Sequence, residues 1–203
     1  MQQLTITTPA IITLEMAGQF TPEVERLRRD SYPPTDRITS EDEFDKVSRH
    51  FVARVDGRLI GTVRVTHTPP SPEFAWAIDP ARVPTGPGYV ELTRGCVDGS
   101  ARGLSVYRLM MTELICHLTA SGVTAAAAVI EPDFPAQSVL WDLGFERWGP
   151  VTPGRHPEKG VCPTQYILHR LASSGVDLRG QLESLHEALR ERGITVHSRL
   201  GAA

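Results

Sequence analysis

The chain has 203 residues, 40% hydrophobic and 22% charged, with a formal net charge of −3. That length suits one well-buried core rather than two full domains, and the charge offers no broad cationic surface for a phosphate backbone, so nucleic-acid binding is not expected. Cys96, Cys116 and Cys162 are odd in number and contain no CxxC pair, and no apolar run reaches the roughly 18 residues of a membrane span, so the expectation is a soluble cytoplasmic protein without disulfides, metal or membrane anchor.

Thr21-Pro22-Glu23 reads as an N-cap, a proline in the first turn and an acid beside the helix dipole, which predicts a helix over about Pro22 to Ser31, stopped by Pro33-Pro34. Ser40 and Glu43 have capping-box spacing and predict a short helix carrying Phe44 and Val47. Phe51 to Val55, Asp56-Gly57 and Leu59 to Val65 form a hairpin signal with a type I′ turn. From Thr68 to Gly88 proline dominates and no period is sustained, so an irregular connection is expected, with a turn of helix near Phe74 to Ile78.

Tyr89 to Val97 predicts a strand, and the stripe Leu104, Met110, Met111, Leu114, Ile115 and Leu118 predicts a helix packed on a sheet and ended by Gly122. Val123 to Ile130 is apolar throughout and suits a strand buried on both faces; Ala136 to Leu143 predicts a helix closed by Gly144. A last strand over about Cys162 to Leu171 precedes a helix over Gly180 to Arg192, whose Leu182, Leu185 and Leu189 either cap the core or meet a partner. The fold class is α/β, with a domain over 1–172 and a helical extension over 173–203 packed on or beside it.

This order of elements, together with Ser138 to Phe145, resembles the GCN5-related N-acetyltransferase (GNAT) fold, a mixed central sheet flanked by helices. Within that fold, Arg28 with Tyr32, Asp42-Glu43-Phe44-Asp45, Gly61-Thr62-Val63-Arg64 and Glu91-Leu92-Thr93-Arg94 are similar, in order and spacing, to motifs of the acyl-homoserine-lactone synthases. The resemblance implies an acyltransferase of autoinducer synthesis and quorum sensing. Its donor is an acyl carrier protein thioester or acyl coenzyme A, its acceptor the amine of S-adenosylmethionine, and it holds no tightly bound cofactor. It implies catalytic roles for Glu91, Thr93 and Arg94, and substrate binding by Arg28, Tyr32, Asp42, Phe44, Asp45 and Arg64. It gathers the cations Arg28, Arg64 and Arg94 and the anions Asp42, Asp45 and Glu91 in one network. It places the acyl donor on Arg102, Gly103, Leu104, Ser105 and Val106.

Common members of the fold carry R/Q-x-x-G-x-G/A in that last loop, so that backbone amides approach a pyrophosphate. Ser105 and Tyr107 replace its glycines here, which predicts a weaker coenzyme A grip and favours a carrier-protein arm. The chemistry needs a base for the amine proton, for which Glu91 serves, and a donor for the oxyanion, for which amides near Arg94 and Gly95 serve if the strand bulges.

Plainer readings stand beside these. Asp42 and Asp45 also suit a solvated first helical turn, Glu91 and Arg94 a surface pair, and Arg102-Gly103 a simple turn. The seven histidines show no metal-ligand spacing, and Cys96 reads as a small buried hydrophobe before it reads as a nucleophile. An N-acyl amino acid synthase, a plain acetyl-coenzyme A acetyltransferase and a non-catalytic acyl-binding module remain alternative functions.

Overall fold

A computed structural model describes residues 9–32, 41–67, 86–156 and 160–200. The expected turn of helix near Phe74 and the cap at Ser40 lie outside these residues. Helix α1 (Pro22–Ser31) begins as its sequence dictates, with Thr21 Oγ1 accepting from the Val24 amide at 3.3 Å. It ends at Tyr32, whose extended backbone is what a residue ahead of proline adopts.

Strands β2 (Arg49–Val55) and β3 (Arg58–His67) form the expected hairpin. Both turn residues, Asp56 and Gly57, have positive φ, as a type I′ turn requires. Strand β4 (Tyr89–Val97), helix α2 (Val106–Ala120), strand β5 (Ala125–Ile130) and helix α3 (Gln137–Asp142) follow the predicted β-α-β-α series.

Four strands had no counterpart in the sequence reading. One is β1 (Ala10–Ala17), in which Ile12 and Leu14 point inward between outward-facing Ile11 and Thr13, a period-two signal. The others are short: β6 (Glu146–Arg147), β7 (Thr152–His156) and, after β8 (Gly160–Arg170) and helix α4 (Leu178–Glu191), β9 (Ile194–Ser198). The strands run β6–β8–β5–β4–β3–β2–β1–β9, and β7 pairs with the first half of β8.

The expected helix at Phe44 and Val47 is a single 3₁₀ turn over Asp45–Val47, and Val47 is exposed. Asp42 explains this. Its Oδ1 accepts from the amides of Phe44 and Asp45 at 2.9 and 3.0 Å, a local turn that competes with a longer helix.

Side chains alternate across the sheet and give its two faces different characters. Phe51, Ala53, Val63, Val65, Val90 and Leu92 pack with Leu109, Met110 and Leu114 of α2 in the main core. On the other face, Val24 and Leu27 of α1 cover Val52, Leu59 and Cys96 in a smaller cluster. Ala126 and Ala127 are both fully buried, one on each face, so β5 is covered on both sides. Leu189 of α4 joins the main core, with Leu182 and Leu185 packed against it, and β9 lies parallel to β1.

Candidate active site

The site begins with an irregularity in β4. Thr93 pairs with Arg64 and Cys96 with Thr62, so Arg94 and Gly95 together stand opposite Val63 alone. This is a β-bulge, and Arg94 takes the left-handed conformation in it, with φ +54. A non-glycine residue held there stores on the order of 1 kcal/mol of strain. Strand β4 also parts from its neighbour: it pairs in parallel with β5 only from Tyr89 to Glu91, while β5 continues along β8 to Ile130. The middle of the sheet opens beyond Glu91, next to the bulge.

On the α1 face, five of the six expected charges are joined directly. Arg28, fully buried, grips Asp45 with two hydrogen bonds of 2.9 and 2.8 Å, and Arg64 Nη1 lies 2.6 Å from Asp42 and 3.2 Å from Asp45. Arg64 Nε donates to Thr93 Oγ1 at 2.9 Å, and Arg94 Nη2 reaches the other Asp42 oxygen at 3.1 Å. The rings of Phe20 and Phe44 lie 4.9 and 5.6 Å from the Arg28 and Arg64 guanidinium carbons. Burial by itself would raise the Asp42 and Asp45 carboxyls, but their arginines outweigh it and hold both below the usual carboxylate range.

Glu91, also buried, shares this face of the sheet by strand alternation with Thr93, and the Tyr89 hydroxyl lies 3.5 Å from its Oε1. Tyr89 and Tyr166 are joined hydroxyl to hydroxyl at 2.9 Å. Tyr32 donates to the Gly95 carbonyl at 3.1 Å, tying the end of α1 to the bulge.

Sequence reasoning overlooked His50. It is fully buried, 3.4 Å from Asp45 Oδ1 and edge-on to Phe20, and burial together with Arg28 lowers its pKa to about 4, leaving it neutral at neutral pH. The available signal was register: His50 pairs with Arg64, so the two belong to one face. Burial pushes the Cys96 thiol up to about 12, which keeps it protonated and supports its reading as a packed side chain.

The loop over 102–106 lies at the start of α2. Arg102 and Ser105 are exposed, Leu104 is half-buried against the main core, and the Val106 side chain is inside it. Gly103 and Ser105 have φ +79 and +56, so Ser105 adopts the left-handed conformation that the fold's glycine would supply. Tyr107 points inward, toward Gly95. The Ser105 replacement thus keeps the backbone shape of a glycine there, while Tyr107 places a large ring where the fold's loop carries a small residue.

Among the described residues no group of His, Cys, Asp and Glu is arranged to hold a metal, and no helix is long and apolar enough to cross a membrane.

A mixed sheet opened beside a bulged strand, with a helix starting at the opening, defines an acyltransferase of the N-acetyltransferase class. The acetyltransferase (GNAT) family model matches residues 19–145, and the chain belongs to that family. Among solved structures it is similar to BjaI, a CoA-dependent acyl-homoserine lactone synthase, with a TM-score of 0.63 and 15% identity over 93% of each chain. It is also similar to Escherichia coli ElaA (TM-score 0.58, 15% identity, 78% of this chain and 99% of that one). A Bacillus subtilis acetyltransferase in complex with CoA gives 0.55 and 13% over 78% and 98%. At these identities the likeness is one of fold. No curated sequence matches the chain significantly.

Proposed function

We propose that this enzyme transfers an acyl group from a phosphopantetheine thioester to the amine of a zwitterionic α-amino compound, S-adenosylmethionine first among the candidates, with lactone formation giving an acyl-homoserine lactone. The observation that carries the reading is the graded burial of the charged cluster. Arg28, Arg64 and Asp45 are fully covered, whereas the Asp42 and Arg94 side chains are 27% and 13% exposed. The cluster thus offers one carboxylate and one guanidinium outward, which suit an ammonium or sulfonium and a carboxylate respectively. The buried members hold those two in place.

Glu91 accepts the proton of the attacking amine, and the amides of the Arg94–Gly95 bulge face the developing oxyanion. The left-handed backbone at Ser105, where the fold's loop carries glycine, supports coenzyme A as a carrier beside an acyl carrier protein. The similarity to BjaI, which has been solved with SAM and isopentyl-CoA, runs through 93% of both chains and agrees with this assignment.

The test is mass spectrometry of the protein incubated with S-adenosylmethionine and acyl-coenzyme A or acyl-carrier-protein donors, with free amino acids in a parallel reaction. Acyl-homoserine lactone and methylthioadenosine are the expected products. An N-acyl amino acid would transfer the reading to an amino acid acceptor, and unconsumed S-adenosylmethionine with every donor would overturn the lactone. With the acceptor known, Glu91→Gln should lower turnover on the order of 10²-fold or more while donor binding persists.

A further inference from the structure

The inference rests on the reading just given, in which a thioester occupies the opening between β4 and β5. Tyr107 lies in the first turn of α2, where common members of the fold have glycine or alanine. A Cβ placed on Gly95 would stand 3.4 Å from the Tyr107 ring and 3.6 Å from its hydroxyl. Phe134, from the segment after β5, meets the same ring edge-on with centroids 6.2 Å apart. Tyr107 therefore spans from the bulge of β4 to the chain leaving β5, on the α2 side of the opening.

Neighbouring phenols are engaged: Tyr32 with the Gly95 carbonyl, Tyr89 with Tyr166. The Tyr107 hydroxyl has no hydrogen-bond partner among the described residues. Tyr107 is half-buried, so its ring packs in the core while its polar end is left available to a group that enters the opening. Burial raises its pKa, so it stays a neutral donor.

We propose that the Tyr107 hydroxyl donates a hydrogen bond to the thioester carbonyl oxygen, acting with the bulge amides as a second arm of the oxyanion site. As the amine nitrogen bonds to the carbonyl carbon, the π pair moves onto oxygen, and Tyr107 stabilises that charge while keeping its own proton. When the pair returns, the C–S bond breaks, the thiolate leaves with the bonding electrons, and the amine proton has passed to Glu91. Tyr107 thus serves the donor side of the sheet as Asp42 and Arg94 serve the acceptor side.

The experiment is infrared spectroscopy of hexanoyl-coenzyme A, isotope-labelled at its carbonyl, bound to the protein and to Tyr107→Phe, which keeps the ring and its contact with Phe134. The expected result is a carbonyl band lowered in frequency on the parent protein and returned most of the way in the variant. Turnover should fall on the order of 10²-fold with little change in donor KM. Equal band shifts in the two proteins would overturn the role of Tyr107 and leave the donor reading standing. No bound band on the parent protein would overturn this role and the coenzyme A donor together.

Discussion

Arg94 answers two demands that conflict in its backbone. Its guanidinium pairs with Asp42, which calls for a long cationic side chain, while its place in the bulge calls for φ +54, which suits glycine. Arg94→Ala and Arg94→Gly should therefore both lose acyl transfer. The glycine variant should be the more stable of the two by about 1 kcal/mol in chemical denaturation, because only it accepts the left-handed backbone without strain. Equal stabilities would mean the bulge relaxes when the ion pair is gone.

His50 gives the cluster a pH dependence of known sign. Its pKa falls from 6.5 to about 4 on folding, so between those values the unfolded chain binds the extra proton. The stability it contributes is complete above about pH 6.5 and is lost as pH falls toward 4, to the extent of roughly 3 kcal/mol. Denaturation of the protein and of His50→Gln across this range should show a shallower acid loss in the variant, and parallel curves would remove His50 from the account. The contributions of Asp42 and Asp45, both lowered on folding, begin to be lost only as pH falls through the ordinary carboxylate range.

Among the elements, the junction of α3 with β6 depends on a single residue. Gly144 has φ +92, and a Cβ there would stand 3.0 Å from Ser174 Oγ and Val176 Cγ2 and 3.2 Å from His169 Nε2. Gly144→Ala should therefore cost more than the about 1 kcal/mol of left-handed strain alone, and thermal unfolding measures the excess. An undisturbed melting temperature would show that the segment around Ser174 moves aside freely. The bulge in β4 is likewise a property of an element. Its position was legible only as a motif, Glu91 to Arg94, whereas its geometry comes from the mismatch in register with β3.

At the scale of the whole molecule, the C-terminal segment extends the same sheet: α4 lies against α2, β9 pairs with β1, and Arg192 donates to the Gly103 carbonyl at 3.3 Å. That bond links the end of α4 to the loop assigned to the acyl donor. Leu189 and Ile194 seat this segment in the core, and Leu189→Ala should destabilise the protein by about 2–5 kcal/mol. Calorimetry showing α4 and β9 melting ahead of the rest would instead make the segment a separate cooperative unit.

Local chemistry in the sequence determined the elements with strong signals. The Thr21 cap and Pro22 place α1, Asp56-Gly57 places the hairpin, and the apolar stripe of α2 and apolar run of β5 place the centre of the fold. Residue types in order also pointed to the charged cluster and to the family. Tertiary structure alone decided which charges meet, because Arg28, Asp45 and Arg64 come from three separate elements, and it added His50 to the cluster and set the Tyr107 ring beside Gly95. It also decided the short strands β6, β7 and β9, which have too few residues to show a period and exist because an open edge beside them offers unpaired backbone groups.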